Sequence, residues 1–313
     1  MNPKPKMTPF TFKNMQSQFP DDAACLEWLR NFLYPDGIFC KTCEQVTKHH
    51  RVASRPSYSC DHCGHHVHPT ADTIFHKSST PLTIWFHAIY LMASTRCGIS
   101  AKQIQRETGV TYKTAWRMFK QIRSMLTDDA PIGGEGKGVE VDEMFYGGKR
   151  KSGAGRPMRG DKYKTPVLGM VERNGKVVAL AVPDTTAKTL CGSVREFVLP
   201  ATTVFTDELP SYNTISEGRR YTHHRIKHSE KVYVVGNVHT NTVEGFWSLI
   251  KRGIGGVYHS VSQKYLQSYL DEYSFRYNRR FDTQPMFTSF LHQIEKAQPG
   301  ETPSVEQTQN PAA

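Results

Sequence analysis

Three acidic residues in this chain stand where they could work on phosphate, and four cysteines stand where they could hold a metal. Asp142 lies inside an apolar run, Val139-Glu-Val-Asp-Glu-Met-Phe145. A charged side chain in such a strand-like run is costly unless it is paired or bound to a metal. Glu140 shares its face and Glu143 follows it, so either is an alternative. Asp207 follows Thr203-Val-Phe-Thr206, at the C-terminal end of a strand, where open α/β sheets place their ligand sites. Its other reading is a turn residue before Leu209-Pro210. Glu244 lies on a helical run whose buried stripe is Val243, Phe246, Trp247 and Ile250, with Glu244, Ser248 and Lys251 along one edge. Its other reading is a capping box with Asn241. Carboxylates converging from two strands and a helix suit Mg2+ or Mn2+, which prefer oxygen ligands. Two such ions can activate an attacking oxygen and stabilise a leaving one. Lys251, two turns beyond Glu244, suits a phosphate contact.

The cysteines form two tight pairs, Cys40/Cys43 and Cys60/Cys63, with sixteen residues between the pairs. Each Cys-x-x-Cys hairpin turns two thiolates toward one ion, and two hairpins at this spacing complete a closed, tetrahedral zinc site. Gly64 suits the tight backbone after Cys63, whereas Glu44 occupies the matching place after Cys43. The set is complete without His62, His65, His66 or His68, which are expected in solvent or near phosphate.

Ser100–Met118 has the form of a helix-turn-helix. A short helix from Ser100 ends at Gly109, and Thr111 caps a second helix. Ile104, Val110, Ala115 and Met118 or Phe119 would make the shared core. Thr111, Tyr112, Lys113, Arg117 and Lys120 would then be exposed, suited to the phosphates and base edges of a major groove. A plain helical hairpin is the alternative. Further on, Gly147–Lys162 sets Lys149, Arg150 and Lys151 among glycines, a composition fit for phosphates but with little means of reading sequence.

These groups need a scaffold. Strands are expected at Val139–Tyr146, Thr165–Glu172 and Val177–Val182, the last two joined by the turn Asn174-Gly175. A helix at Ala187–Phe197 precedes strands at Thr202–Thr206 and Tyr221–Lys227, and helices at Thr242–Arg252 and Val261–Arg280 close the domain. This order predicts an α/β domain with a mixed sheet. The expected layout is a flexible N-terminus at 1–20, a helix and zinc ribbon at 21–76, and a helix-turn-helix region at 77–127. The catalytic domain follows at 138–296 and a disordered tail at 297–313. Lysine and arginine outnumber the acids 40 to 29 over 313 residues, which favours a polyanionic partner. The chain has no long apolar run and an odd seven cysteines. Metal binding in a reducing, cytoplasmic setting is therefore expected over disulfides or a membrane span.

Taken together these residues resemble the DDE transposases of bacterial insertion sequences, in the branch with an N-terminal zinc ribbon. The likeness rests on the two Cys-x-x-Cys pairs, Thr73-Ile-Phe-His-Lys-Ser78, Val141-Asp-Glu-x-x-x-Gly-Gly-Lys149, Thr206-Asp207, and His239-Thr-Asn-Thr-Val-Glu-Gly-Phe-Trp-Ser-Leu-Ile-Lys-Arg252. Phe275-Arg-Tyr-Asn-Arg279 adds to it. The resemblance implies a ribonuclease-H-like catalytic core, with Asp142, Asp207 and Glu244 as the acidic triad and Lys251 as the accompanying basic residue. It also implies cleavage and joining of double-stranded DNA, at element ends and target, by a homo-oligomer assembled on that DNA. Two rivals remain: a DNA-binding regulator derived from a transposase, and a metal-dependent nuclease that cuts without joining.

Overall fold

The computed structural model describes residues 9–128, 130–147, 164–226 and 240–294. It divides into two compact units, one built mainly from 7–94, 101–125 and the segment after 284, the other from 95–100 and 126–283.

The first unit begins with helix α1 (Phe12–Gln18), although residues 1–20 were expected to be loose. Thr11 caps it by accepting from the Asn14 amide, and Met15 and Phe19 are buried, so anchoring overrides the polar composition. Helix α2 (Asp22–Leu33) follows, capped by Asp21. The cysteine module is five short strands: β1 (Ile38–Cys40), β2 (Gln45–Thr47), β3 (His49–Val52), β4 (Ser57–Cys60) and β5 (His66–Val67). They form a β1–β2 hairpin and a three-stranded β3–β4–β5 sheet. Helices α3 (Leu82–Ser94), α4 (Ala101–Thr108) and α5 (Tyr112–Ser124) come next.

The second unit is organised around a sheet. A short strand β6 (Ile132–Gly133) leads to the long β7 (Gly138–Gly147), then β8 (Lys164–Glu172) and β9 (Val177–Ala181), an antiparallel meander. Asn174, at φ 58°, makes the tight turn between β8 and β9. Helix α6 (Ala187–Phe197) and β10 (Val198–Leu199) return the chain to β11 (Thr203–Thr206), which runs parallel to β7, with β12 (Thr222–Arg225) parallel outside it. The five-stranded order is β12-β11-β7-β8-β9, a mixed sheet as the order of elements predicted, and of the ribonuclease-H type that the resemblance implied.

Helices α7 (Asn241–Gly253) and α8 (Leu266–Asn278) cover one face. There Val243, Phe246, Trp247 and Ile250 pack on Met144, Val167 and Val171. The opposite face buries Val139, Val141 and Leu168 against Leu190, Val194 and Tyr212. The closing helix is shorter than the expected Val261–Arg280, because a loop and a 3-10 turn at Gln263–Tyr265 precede it. Its carboxamides seal the open edge of β9. Gln267 accepts from the Ala181 amide and donates to the Ala179 carbonyl, and Asn278 does the same for Val177. An otherwise unpaired strand edge is thereby satisfied. The last helix, α9 (Met286–Leu291), was not expected, and it falls within the 138–296 span expected for the catalytic domain. It clusters instead with the first unit, where Phe287 stacks on Phe10 at 4.9 Å.

Candidate active site and zinc centre

The four cysteines meet. Their sulfurs lie within 4.8 Å of one another, with Cys40 to Cys63 at 3.5 Å and Cys43 to Cys60 at 3.9 Å. A zinc–sulfur bond of about 2.3 Å in a tetrahedron requires sulfur separations of about 3.8 Å, so the donor set fits zinc. Both knuckles need a left-handed residue after the second cysteine: Gly64 at φ 72° and Glu44 at φ 52°. Glutamate tolerates the second, at some cost in backbone strain. The four thiols share their protons: the Thr47 hydroxyl holds Cys60 down to about 5, while hydrogen bonding to Cys63 pushes Cys43 up to about 12. The histidines stay out of the cluster: His62, His66 and His68 are exposed, and His66 is within 3.2 Å of the Ser57 hydroxyl.

The acidic residues also converge, in a different grouping. Asp142 sits in mid-β7 and Asp207 immediately past β11, the parallel neighbour of β7. Their carboxylates, with that of Glu143, lie within 4.8 Å of one another. The place is where β11 stops beside the middle of its parallel neighbour β7, which continues. Trp247 of α7 donates to Asp142 Oδ2 at 2.8 Å. Gly169 lies opposite Asp142 on β8, and a Cβ there would sit 2.5 Å from the Trp247 ring, so this glycine makes room for the indole. Tyr212 donates to Glu143 Oε2 at 2.9 Å, and the Leu209 amide donates to Asp207 Oδ1 at 2.9 Å.

Burial, with repulsion from Asp207, raises Asp142 to about 6 and Glu143 to about 7, against the hydrogen bonds from Trp247 and Tyr212. Half-buried carboxylates that repel one another in this way offer a divalent cation oxygen donors and a charge to neutralise. The donor set therefore fits magnesium or manganese.

Glu244 is exposed in the first turn of α7 and is not one of the three grouped carboxylates. Its charge still reaches Asp142, raising that pKa, and its Oε1 is 3.5 Å from the Thr240 hydroxyl. The capping box with Asn241 does not form, since Thr240 is the N-cap and makes no side-chain cap. Glu140 takes that role from β7, accepting from the Thr242 and Val243 amides. Lys251 is exposed near the end of α7. Of the two alternatives to Asp142, Glu140 is fully buried and committed to α7 and Arg173, whereas Glu143 joins the site. Alternation along β7 separates Glu143 from Asp142 by face and left it a mere alternative. Its nearness to Asp207 depends on where β11 ends. The Trp247 and Tyr212 hydrogen bonds carried no sequence signal.

The predicted helix-turn-helix is α4, a left-handed Gly109 (φ 71°) and α5, with Thr111 accepting from the Thr114 amide. Ile104, Ala115, Met118 and Phe119 are buried, and Thr111, Tyr112, Lys113 and Arg117 are exposed, with Lys120 half-buried. Lys102 lies 4.9 Å from the Tyr112 ring. Arg117 donates to the Ser78 hydroxyl at 3.0 Å and lies over Trp85. Lys149, Arg150 and Lys151 lie outside the described residues.

A ribonuclease-H-like sheet with acids gathered where one strand ends beside the middle of its parallel neighbour, in a chain that also carries a four-cysteine zinc ribbon, is the arrangement of a transposase-type protein. Residues 132–278 match the ISXO2-like transposase domain and residues 20–66 the transposase zinc-ribbon domain. The chain thus carries the two domains of the DDE transposases with an N-terminal zinc ribbon. It is 27% identical over 278 residues to a protein of the transposable element ISH50 of Halobacterium salinarum, covering 82% of this chain and 91% of that relative. It is also 29% identical over 103 residues to a transposase-like protein of Haemophilus influenzae, covering 33% of this chain and 81% of that one. Among the described residues, no helix is long and apolar enough to cross a membrane.

Proposed function

We propose that the chain binds the ends of an insertion sequence and catalyses divalent-metal-dependent strand cleavage and strand transfer. The observation that carries this reading is the meeting of Asp142 and Glu143 in mid-β7 with Asp207 just past the end of β11, within the electrostatic reach of Glu244. Magnesium or manganese, when bound, would supply Lewis-acid stabilisation of the attacking and leaving oxygens. Asp142 and Asp207 would hold the ion directly or through water, with Glu244 completing the triad and Glu143 as a fourth carboxylate. Trp247 fixes the rotamer of Asp142, and the Leu209 amide that of Asp207. Lys251 would meet a phosphate.

In the first reaction, water attacks phosphorus and the P–O3′ bond breaks, the proton passing to the departing 3′-oxygen. In the second, that 3′-hydroxyl attacks a target phosphodiester, displaces its 3′-oxygen and yields its proton to it. Recognition of the ends would fall to α5 through Thr111, Tyr112, Lys113, Arg117 and Lys120. Contact with any DNA backbone would fall to Lys149, Arg150 and Lys151. The protein would act in the cytoplasm as a homo-oligomer on DNA.

The test is an assay of wild type and Asp207→Ala on labelled end duplex and target plasmid with magnesium. Joined products from wild type alone support the reading. Cut but unjoined ends would make the chain a nuclease. Binding without either product would make it a regulator.

A further inference from the structure

We propose that Glu140 is a positioning residue: through one buried carboxylate it ties together the three elements that carry Asp142, Asp207 and Glu244. This inference rests on the metal-site reading above. Glu140 is fully buried in β7, two residues before Asp142. Its Oε2 accepts from the Thr242 amide at 2.7 Å and the Val243 amide at 3.0 Å, and its Oε1 from the Thr242 hydroxyl at 2.8 Å. These amides lie in the first turn of α7, immediately before Glu244 in the same turn. A carboxylate at a helix N-terminus satisfies donors the helix itself cannot, and meets the positive end of its dipole.

The same Oε1 accepts from Arg173 Nε at 2.7 Å. The Arg173 guanidinium lies 3.9 Å from the ring centroid of Phe205. Phe205 pairs with Glu140 across β7–β11 and stands two residues before Asp207. One arm of Glu140 thus sets the start of α7, and the other, through Arg173 and Phe205, reaches the strand that ends just before Asp207. Groups outside a metal's ligands that fix their orientation typically carry about 10–100-fold in affinity or activity.

A carboxamide cannot serve both arms. In Glu140→Gln, one oxygen can face the two helix amides, but the NH2 group then faces the Arg173 N–H. Arg173→Met cuts only the second arm. Full-length wild type, Glu140→Gln, Arg173→Met and the double variant would be titrated with Mn2+ alone by calorimetry. Amide hydrogen exchange at Thr242 and Val243 would be followed on the same samples. The expected result is Mn2+ binding weakened about tenfold or more in Glu140→Gln and less in Arg173→Met, with the double variant no weaker than Glu140→Gln. Exchange at Thr242 and Val243 should quicken about tenfold in Glu140→Gln and stay unchanged in Arg173→Met. Wild-type Mn2+ affinity per folded Glu140→Gln molecule would overturn the brace, leaving Glu140 a folding residue only. If Glu140→Gln does not fold, undiminished Mn2+ affinity in Arg173→Met overturns the β11 arm. A wild type that binds no Mn2+ overturns the underlying site, whatever exchange shows.

Discussion

The zinc centre and the acidic site both gather oxygen- or sulfur-bearing ligands for a metal, yet they are assembled in opposite ways. Cys40 and Cys63, the outermost zinc ligands, are 23 positions apart, and two hairpin knuckles bring all four sulfurs together with little help from the rest of the fold. The acidic site draws on β7, the end of β11 and α7, with Asp142 hydrogen-bonded to Trp247 from 105 positions away. The first is closed, its fourth position filled by protein, as in structural zinc sites. The second is an open set of half-buried carboxylates, where a metal would keep positions for water and phosphate. A closed site stabilises its module, whereas an open one costs stability and leaves room for substrate.

The largest expected effect is on the closed site. Because metal binding and folding are coupled there, on the order of 10 kcal/mol at neutral pH for comparable zinc modules, Cys60→Ser should lose most of the bound zinc and unfold β1–β5. Elemental analysis should find about one zinc per wild-type chain. Stoichiometric zinc in Cys60→Ser with native exchange protection in β4 would show that the centre is not closed by these four sulfurs.

The open site makes the reverse prediction. Asp142 and Glu143 titrate at about 6 and about 7, above their unfolded values of 3.8 and 4.5. The folded protein therefore keeps protons that the unfolded chain releases. The stability this contributes is complete below the unfolded values and is lost as pH rises through 6 to 7. The loss without added magnesium is on the order of 2 kcal/mol per group, after allowance for partial exposure. Denaturant midpoints measured at about pH 5 and about pH 8 should fall less steeply in Glu143→Gln than in wild type, and histidine titration cancels in that difference. Identical slopes would remove Glu143 from the acidic cluster.

The same contrast explains what could be read in advance. Spacing alone identified the cysteines, because a Cys-x-x-Cys knuckle is local. The strands along the chain and the stripe of α7 followed from period-two and period-3.6 patterning. What periodicity does not carry is where one strand stops beside another. Glu143 therefore stood only as an alternative, and Glu140 as a rival ligand rather than the anchor of α7. Helix α1 was missed because its polar composition hides two anchors, Met15 and Phe19.

A smaller effect separates residues within α5. Lys113 is exposed, whereas Arg117 is engaged by Ser78 and Trp85. If α5 reads the element ends, Lys113→Ala should cost about 1–3 kcal/mol on end DNA and less on scrambled DNA. Arg117→Ala should discriminate less, since part of its loss is the Ser78 contact. Binding isotherms on both duplexes check this. Equal losses on the two duplexes would move end recognition away from α5 and toward the zinc ribbon.

On the proposed function, Asp142 and Asp207, helped by acids from β7 and α7, hold a divalent ion that serves DNA chemistry. Anomalous diffraction from crystals of the full-length protein, grown with end-sequence DNA and Mn2+, tests it most directly. An anomalous peak is expected at ordinary coordination distance, about 2.0–2.2 Å, from oxygens of both Asp142 and Asp207, absent from crystals of Asp207→Ala. Manganese bound elsewhere, with no peak between β7 and β11 in a protein that still joins DNA strands, would contradict it.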